Sequence, residues 1–164
     1  MERDHVEEIL AQWRRERPEL DTSSMAVLGR VSRLERTVRP RLEEVFQRFE
    51  LTGEAFDVLA TLRRSGPPFE LSPTGLFRSL MLSSGAMTSR IDRLEEAGLV
   101  ERRPDPEDRR GIRVALTPRG KQLIDRAVEA HAGNQDRILV GLSAADRKQL
   151  AALLRKLLVS LDAP

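Results

Sequence analysis

A chain of 164 residues without a cysteine has room for one ordinary core, or one subunit of a small oligomer. It has no disulfide, no thiolate nucleophile and no cysteine-based metal site. Its 28 basic and 26 acidic residues leave a net charge of +2, so bulk charge gives little reason to expect a nucleic-acid partner. The N-terminal stretch MERDHVEEIL has no apolar signal core, and no apolar run is long enough to span a bilayer. A cytoplasmic protein without a membrane partner is expected. His5 and His131 lie far apart in the chain, and no nucleophile–base set or phosphate-cradling glycine loop is present, so neither a metal, a cofactor nor an enzyme is expected.

Taken in chain order, Val6, Ile9, Leu10 and Trp13 share one face of a helix that stops before Pro18. Ser23 or Ser24 can cap a longer helix in which Val27, Val31, Leu34, Val38, Leu42, Val45, Phe46 and Phe49 keep the helical period, with Pro40 kinking or breaking it. Thr52 caps a third helix over 53–65 that turns Phe56, Val58, Leu59 and Leu62 inward and ends at Gly66-Pro67-Pro68. Residues 69–71 form a short strand in this reading.

The stretch from Leu71 to Gly120 organises the rest. Ser72 is a good N-cap, Pro73 suits the first helical position, and Leu76, Leu80 and Met81 follow at helical spacing. Ser84 can cap a second helix, 84–97, striped by Met87, Ile91 and Leu94 and ended by Gly98. Two helices across so short a turn make a helix-turn-helix. Residues 99–103 and 111–116 then read as strands around the turn Pro104-Asp105-Pro106-Glu107-Asp108, a β-hairpin. Seven arginines between Thr88 and Arg113 are balanced by seven acids, yet 102–113 alone carries five arginines against three acids, so positive potential gathers at the hairpin. The fold expected is mainly α with a small β-wing, a winged helix-turn-helix that binds double-stranded DNA.

On the recognition helix the face opposite Met87, Ile91 and Leu94 carries Thr88, Ser89, Asp92 and Arg93. Ser84, Thr88, Ser89 and Arg93 are therefore the candidates for base or phosphate contact, while Asp92 is expected to pair with a nearby arginine. Arg109, Arg110 and Arg113 on the wing can reach the minor groove or its phosphates. Arg90 falls on the flank of the apolar stripe, where a guanidinium needs an anionic partner. Asp57 is one candidate, with Trp13 walling the space between them.

Thr117-Pro118 opens a long helix carrying Leu123, Ile124, Ala127, Val128, Ile138 and Leu139, with a flaw expected at Gly133. Ser143 and Asp146 cap a last helix whose Leu150, Leu153, Leu154, Leu157, Leu158 and Leu161 form a broad apolar face. The chain's own core or a second copy must cover it.

The run RIDRLEEAGLVERRPDPEDRRGIRVALTPRG resembles the recognition helix and wing of the MarR family of bacterial transcriptional regulators, most specifically in Asp108-x-Arg110 and Leu116-Thr117-Pro118-x-Gly120. That resemblance implies a homodimer built from both chain ends on a pseudo-palindromic operator, a repressing role, and Asp108 holding Arg110 in position. The absence of cysteine argues against the peroxide-sensing branch. The added N-terminal helix with RERPELD after Trp13, and FDVL around Asp57, resemble instead the urate-responsive, PecS-like branch. In that branch Trp13, Asp57 and Arg90 would form the ligand site, with Ser65 at a further polar position that is Asn in some members. The effector implied is urate or a similar small anion; a tricarboxylate such as citrate, or a ligand-independent architectural DNA binder, are the alternatives. By role the chain divides into 1–50 (ligand-site wall and dimerisation), 51–120 (winged helix-turn-helix) and 121–164 (dimerisation), all within one structural domain per subunit.

Overall fold

The computed structural model describes residues 4–80, 87–108 and 110–162. Among the described residues, seven helices and three strands follow in the order α1 (His5–Glu16), α2 (Ser23–Gln47), α3 (Gly53–Arg64), β1 (Glu70–Leu71), α4 (Pro73–Ser79), α5 (Met87–Glu96), β2 (Val100–Pro104), β3 (Ile112–Leu116), α6 (Pro118–Ile138) and α7 (Ala144–Asp162). The chain divides into two units, Met1–Arg41 and Leu42–Pro164.

In the first unit, Asp4 caps α1 by accepting the Glu7 N–H at 2.8 Å. Val6 and Leu10 are buried, and Gly29 of α2 makes room for Val6, whose methyl would stand 3.2 Å from a Cβ at that position. Arg30 ties the two helices by donating to Asp4 at 2.8 Å. The start of α2 is braced by Asp21, which accepts the Ser23 N–H at 2.9 Å, rather than by Ser23 or Ser24 themselves. Helix α2 runs through Pro40 without interruption, because one missing N–H removes a single rung of a 25-residue ladder. Met25, Val27, Leu28, Val31 and Leu34 leave an exposed apolar face along it.

The second unit holds the core, where Phe46, Phe56, Val58, Leu59, Leu62, Leu76, Ile91, Leu94, Val100, Val114 and Ile124 cluster. The stripes read from the sequence for α3 and α5, and Leu123, Ile124 and Ala127 of α6, point into this cluster. The sheet is antiparallel in the order β1-β3-β2, with Glu70 opposite Ala115 and Arg103 opposite Arg113. Helices α3 and α4 each begin on a hydroxyl: Thr52 accepts the Ala55 N–H at 3.1 Å, and Ser72 the Gly75 N–H at 3.1 Å. Ser143 and Asp146 cap α7 reciprocally, the serine accepting the Asp146 N–H at 3.2 Å and the aspartate accepting the Ser143 N–H at 3.1 Å. Gly133 leaves no flaw in α6, which continues to Ile138.

The junction of recognition helix, wing and α6 is the tightest place in this unit. Gly98 ends α5 with a φ of +67°, a backbone that disfavours a side chain. Thr117 then donates its hydroxyl to the Gly98 carbonyl at 2.8 Å and accepts the Gly120 N–H at 3.0 Å, so one side chain closes α5 and opens α6. Thr117→Ala should therefore cost about 1–2 kcal/mol. That corresponds to a melting-temperature fall of roughly 2–8 °C for a chain of this size. A scan showing no change would remove this residue from the junction.

Helix α7 buries none of its residues; Leu153, Leu158, Val159 and Leu161 are all more than half exposed.

Candidate nucleic-acid interface and effector site

Helix α5 carries the outward row. Ile91 and Leu94 are buried in the core, which turns Thr88 and Arg93 to solvent, with Ser89 half-buried beside them. Among the described residues Arg93 makes no ion pair, so its guanidinium is available to a phosphate or a base edge. Ser84 lies outside the described residues. Asp92 does pair with an arginine: Arg102 of β2 spans Asp92 and Glu95 with its two terminal nitrogens, and its backbone N–H reaches Glu95 at 2.9 Å. Sequence reasoning did not single out Arg102. It clamps the wing to α5, so the two elements keep a common orientation. Beside this clamp an apolar recess of about 400 Å³ opens between Pro73 and Phe77 of α4, Thr88 and Ile91 of α5, and Arg102 and Ile112 of the wing.

The wing arginines divide by their partners. Arg113, expected at the DNA, folds back instead: its Nε donates to Asp105 at 2.7 Å, and the bond from Arg113 holds the Asp105 carboxyl below the ordinary carboxylate range. Arg113 is thus a brace for the base of the hairpin. Its position opposite Arg103 in the register leaves it beside Asp105 rather than at the tip. Arg110 is exposed and, among the described residues, has no ion pair. Asp108 acts on the Arg110 backbone, accepting its N–H at 2.9 Å, and not on its guanidinium. The turn is closed by Gly111, where a Cβ would stand 2.9 Å from that of Asp105 and 3.0 Å from that of Asp108. Arg109 lies outside the described residues.

Arg90 behaves differently from its neighbours on α5. Its side chain is only 12% exposed and points to α3, where it meets Glu54 and not Asp57. Nε donates to one Glu54 oxygen at 3.0 Å and a terminal nitrogen to the other at 2.7 Å, a bidentate pair. Glu54 and Asp57 are three residues apart and share a face of α3, but Glu54 is longer and stands in the first turn, where the helix dipole favours a carboxylate. Asp57 is half-buried and makes no ion pair among the described residues. Burial pushes its carboxyl above the usual range, while the charges of Arg64, His131 and Arg90 pull it down. His131 of α6, which no sequence pattern marked, stacks on Phe46 and lies tilted against Phe56, with ring centroids 5.3 and 4.9 Å away. Burial lowers its pKa, and its Nδ1 is enclosed without a hydrogen-bond partner among the described residues. Ser65 follows the last residue of α3, donating its hydroxyl to the Leu62 carbonyl at 2.7 Å. Trp13 sits on α1 of the first unit, 40% exposed.

Comparison with known proteins decides the family. Residues 51–112 match the model of the MarR family. Over 149 residues, 91% of this chain and 90% of the relative, the sequence is 43% identical to the HTH-type transcriptional regulator PecS of Dickeya dadantii. The chain belongs to the MarR family. A mutant MarR from E. coli complexed with operator DNA has the same fold, with a TM-score of 0.71 and 28% identity over 84% of this chain and 97% of that one. Bordetella bronchiseptica BpsR, whose DNA binding is regulated by 6-hydroxynicotinic acid, is 30% identical with a TM-score of 0.66, covering 82% of this chain and 94% of that one. As a MarR-family member this chain is a DNA-binding transcriptional regulator and not an enzyme. No helix among the described residues is long and apolar enough to cross a membrane.

Proposed function

We propose that the chain is a cytoplasmic, homodimeric repressor that binds a pseudo-palindromic operator and lets go of it when a small planar anion, urate in the first instance, reaches Arg90. The observation that carries this reading is the division of labour on α5. Thr88 and Arg93 face outward, as does Arg110 of the wing, while Arg90 of the same helix faces the protein with a fork suited to an anion. Occupancy at Arg90 is then coupled to the position of the helix that reads DNA, which is the differential interaction that allosteric release requires. Asp57, half-buried on the same face of α3 as Glu54 and with its carboxyl raised by burial, is a polar group beside Arg90. Trp13 offers a flat apolar face, and Ser65 a further polar group.

Dimerisation is supported by the exposed apolar faces of α2 and of α7. Two copies related by a dyad place their recognition helices roughly 34 Å apart, in successive major grooves. The preference for urate rests on the likeness of the Trp13, Asp57 and Arg90 surroundings to the urate-responsive branch. The ligand of BpsR, a carboxylate on a flat ring, supports the same chemical class. Citrate is the competing effector.

Footprinting on the chain's own upstream DNA tests the first half: protection should cover two half-sites about one helical turn apart. The second half is tested by Trp13→Phe and Asp57→Ala, which should retain operator affinity within about threefold yet need at least about tenfold more urate for release. Either variant responding like wild type would remove that residue from the effector site.

A further inference from the structure

The bidentate contact that Arg90 makes with Glu54 is the contact an anionic effector would make. We propose that Glu54 is a tethered competitor for the effector, a built-in carboxylate that the arriving anion must displace and that sets the concentration at which DNA is released. This rests on the reading of Arg90 as the anion-binding residue and adds the residue that tunes it.

The asymmetry of the pair supports the exchange. The Arg90 side chain is 12% exposed and that of Glu54 is 53% exposed. A guanidinium so far removed from water is costly without an anion against it, whereas an exposed glutamate can swing into solvent and be hydrated there. The stable arrangements therefore keep Arg90 paired, first to one carboxylate and then to another anion, and binding is an exchange of partners. Both oxygens of Glu54 are engaged, at 3.0 and 2.7 Å, so the edge of the guanidinium formed by Nε and one terminal nitrogen is filled, and an anion seeking that edge must displace the glutamate.

The same pair also decides what the exchange does to the helix. Among the described residues, Arg90–Glu54 is the ion pair that joins α5 to α3, while Asp92 and Glu95 fasten α5 to the wing through Arg102. Helix α3 is fixed in the core by Phe56, Val58, Leu59 and Leu62. When Glu54 gives way, α5 loses this polar tie to α3 while it keeps its tie to the wing and its core packing through Ile91 and Leu94, so the exchange biases the position of α5 against α3.

The test is isothermal titration of urate into the full-length protein, as wild type, Glu54→Gln and Glu54→Asp, with operator release followed in parallel. Glu54→Gln removes the competing charge at an exposed position and should bind urate about tenfold more tightly, with release at correspondingly lower urate. Glu54→Asp keeps the charge one methylene shorter and should fall between the two. If wild type binds urate and Glu54→Gln binds it equally or more weakly, the competitor role is overturned while the Arg90 effector site stands. If neither protein binds urate, the effector site itself is overturned, and the competitor role with it.

Discussion

Gly120→Ala should destabilise the fold severely. A Cβ at this position would stand 1.9 Å from the Leu99 carbonyl oxygen and 2.8 Å from its carbon, both backbone atoms of the chain entering β2. No rotamer can relieve that clash, so the start of α6 must separate from the end of the recognition helix. The Thr117 bonds to Gly98 and Gly120 would go with it. The expected cost exceeds about 4 kcal/mol, set against a typical total stability of roughly 5–15 kcal/mol. Alanine's better helix propensity returns only about 1 kcal/mol. Gly141→Ala is the matching control, because nothing lies within 4 Å of a Cβ there, and it should stay within about 0.5 kcal/mol of wild type. Urea unfolding of the three proteins measures both effects. A Gly120→Ala protein of near wild-type stability would mean that β2 and α6 are not as closely apposed as described.

The second large effect is on DNA. Arg110→Ala should weaken operator binding about ten- to hundredfold in a dimer, which presents two wings. The slope of log affinity against log salt should become shallower by roughly 0.9 for each phosphate that is no longer neutralised. Because Arg110 has no ion pair among the described residues and Asp108 holds only its backbone, the substitution should leave the hairpin intact. Arg113 differs, since removing it strips Asp105 of its partner and disturbs the base of the wing. Fluorescence anisotropy with operator and with unrelated duplex separates the outcomes: a similar weakening on both marks a backbone contact. Unchanged affinity on both would take the wing out of the interface.

Local chemistry was the most legible part of the sequence. The caps at Thr52, Ser72, Thr117 and Ser143 each depend on residues no more than three positions away, and the stripes of α3 and α5 depend only on helical period. The wing followed from two β-rich runs around a Pro-Asp turn, and it formed between Val100 and Leu116. Partner choice was less legible. Glu54 and Asp57 share a face of α3, and spacing alone cannot say which reaches Arg90; side-chain length and the helix dipole decide it. Among the wing arginines, register decides that Arg113 braces Asp105 while Arg110 stays exposed at the tip. His131 comes beside Phe46 and Phe56 only through the packing of α6, which no local pattern announces. Pro40 does not break α2, which continues to Gln47.

The coupling of effector to DNA is tested most directly by titrating urate into the protein bound to its own upstream DNA at fixed salt, with citrate run alongside. The account predicts release by urate at sub-millimolar to millimolar concentration, with citrate weaker. Release by citrate alone would keep the coupling through Arg90 and replace the effector. A complex that neither anion dissociates would contradict the coupling and leave a DNA-binding MarR-family protein in which Arg90 and Glu54 merely hold two helices together.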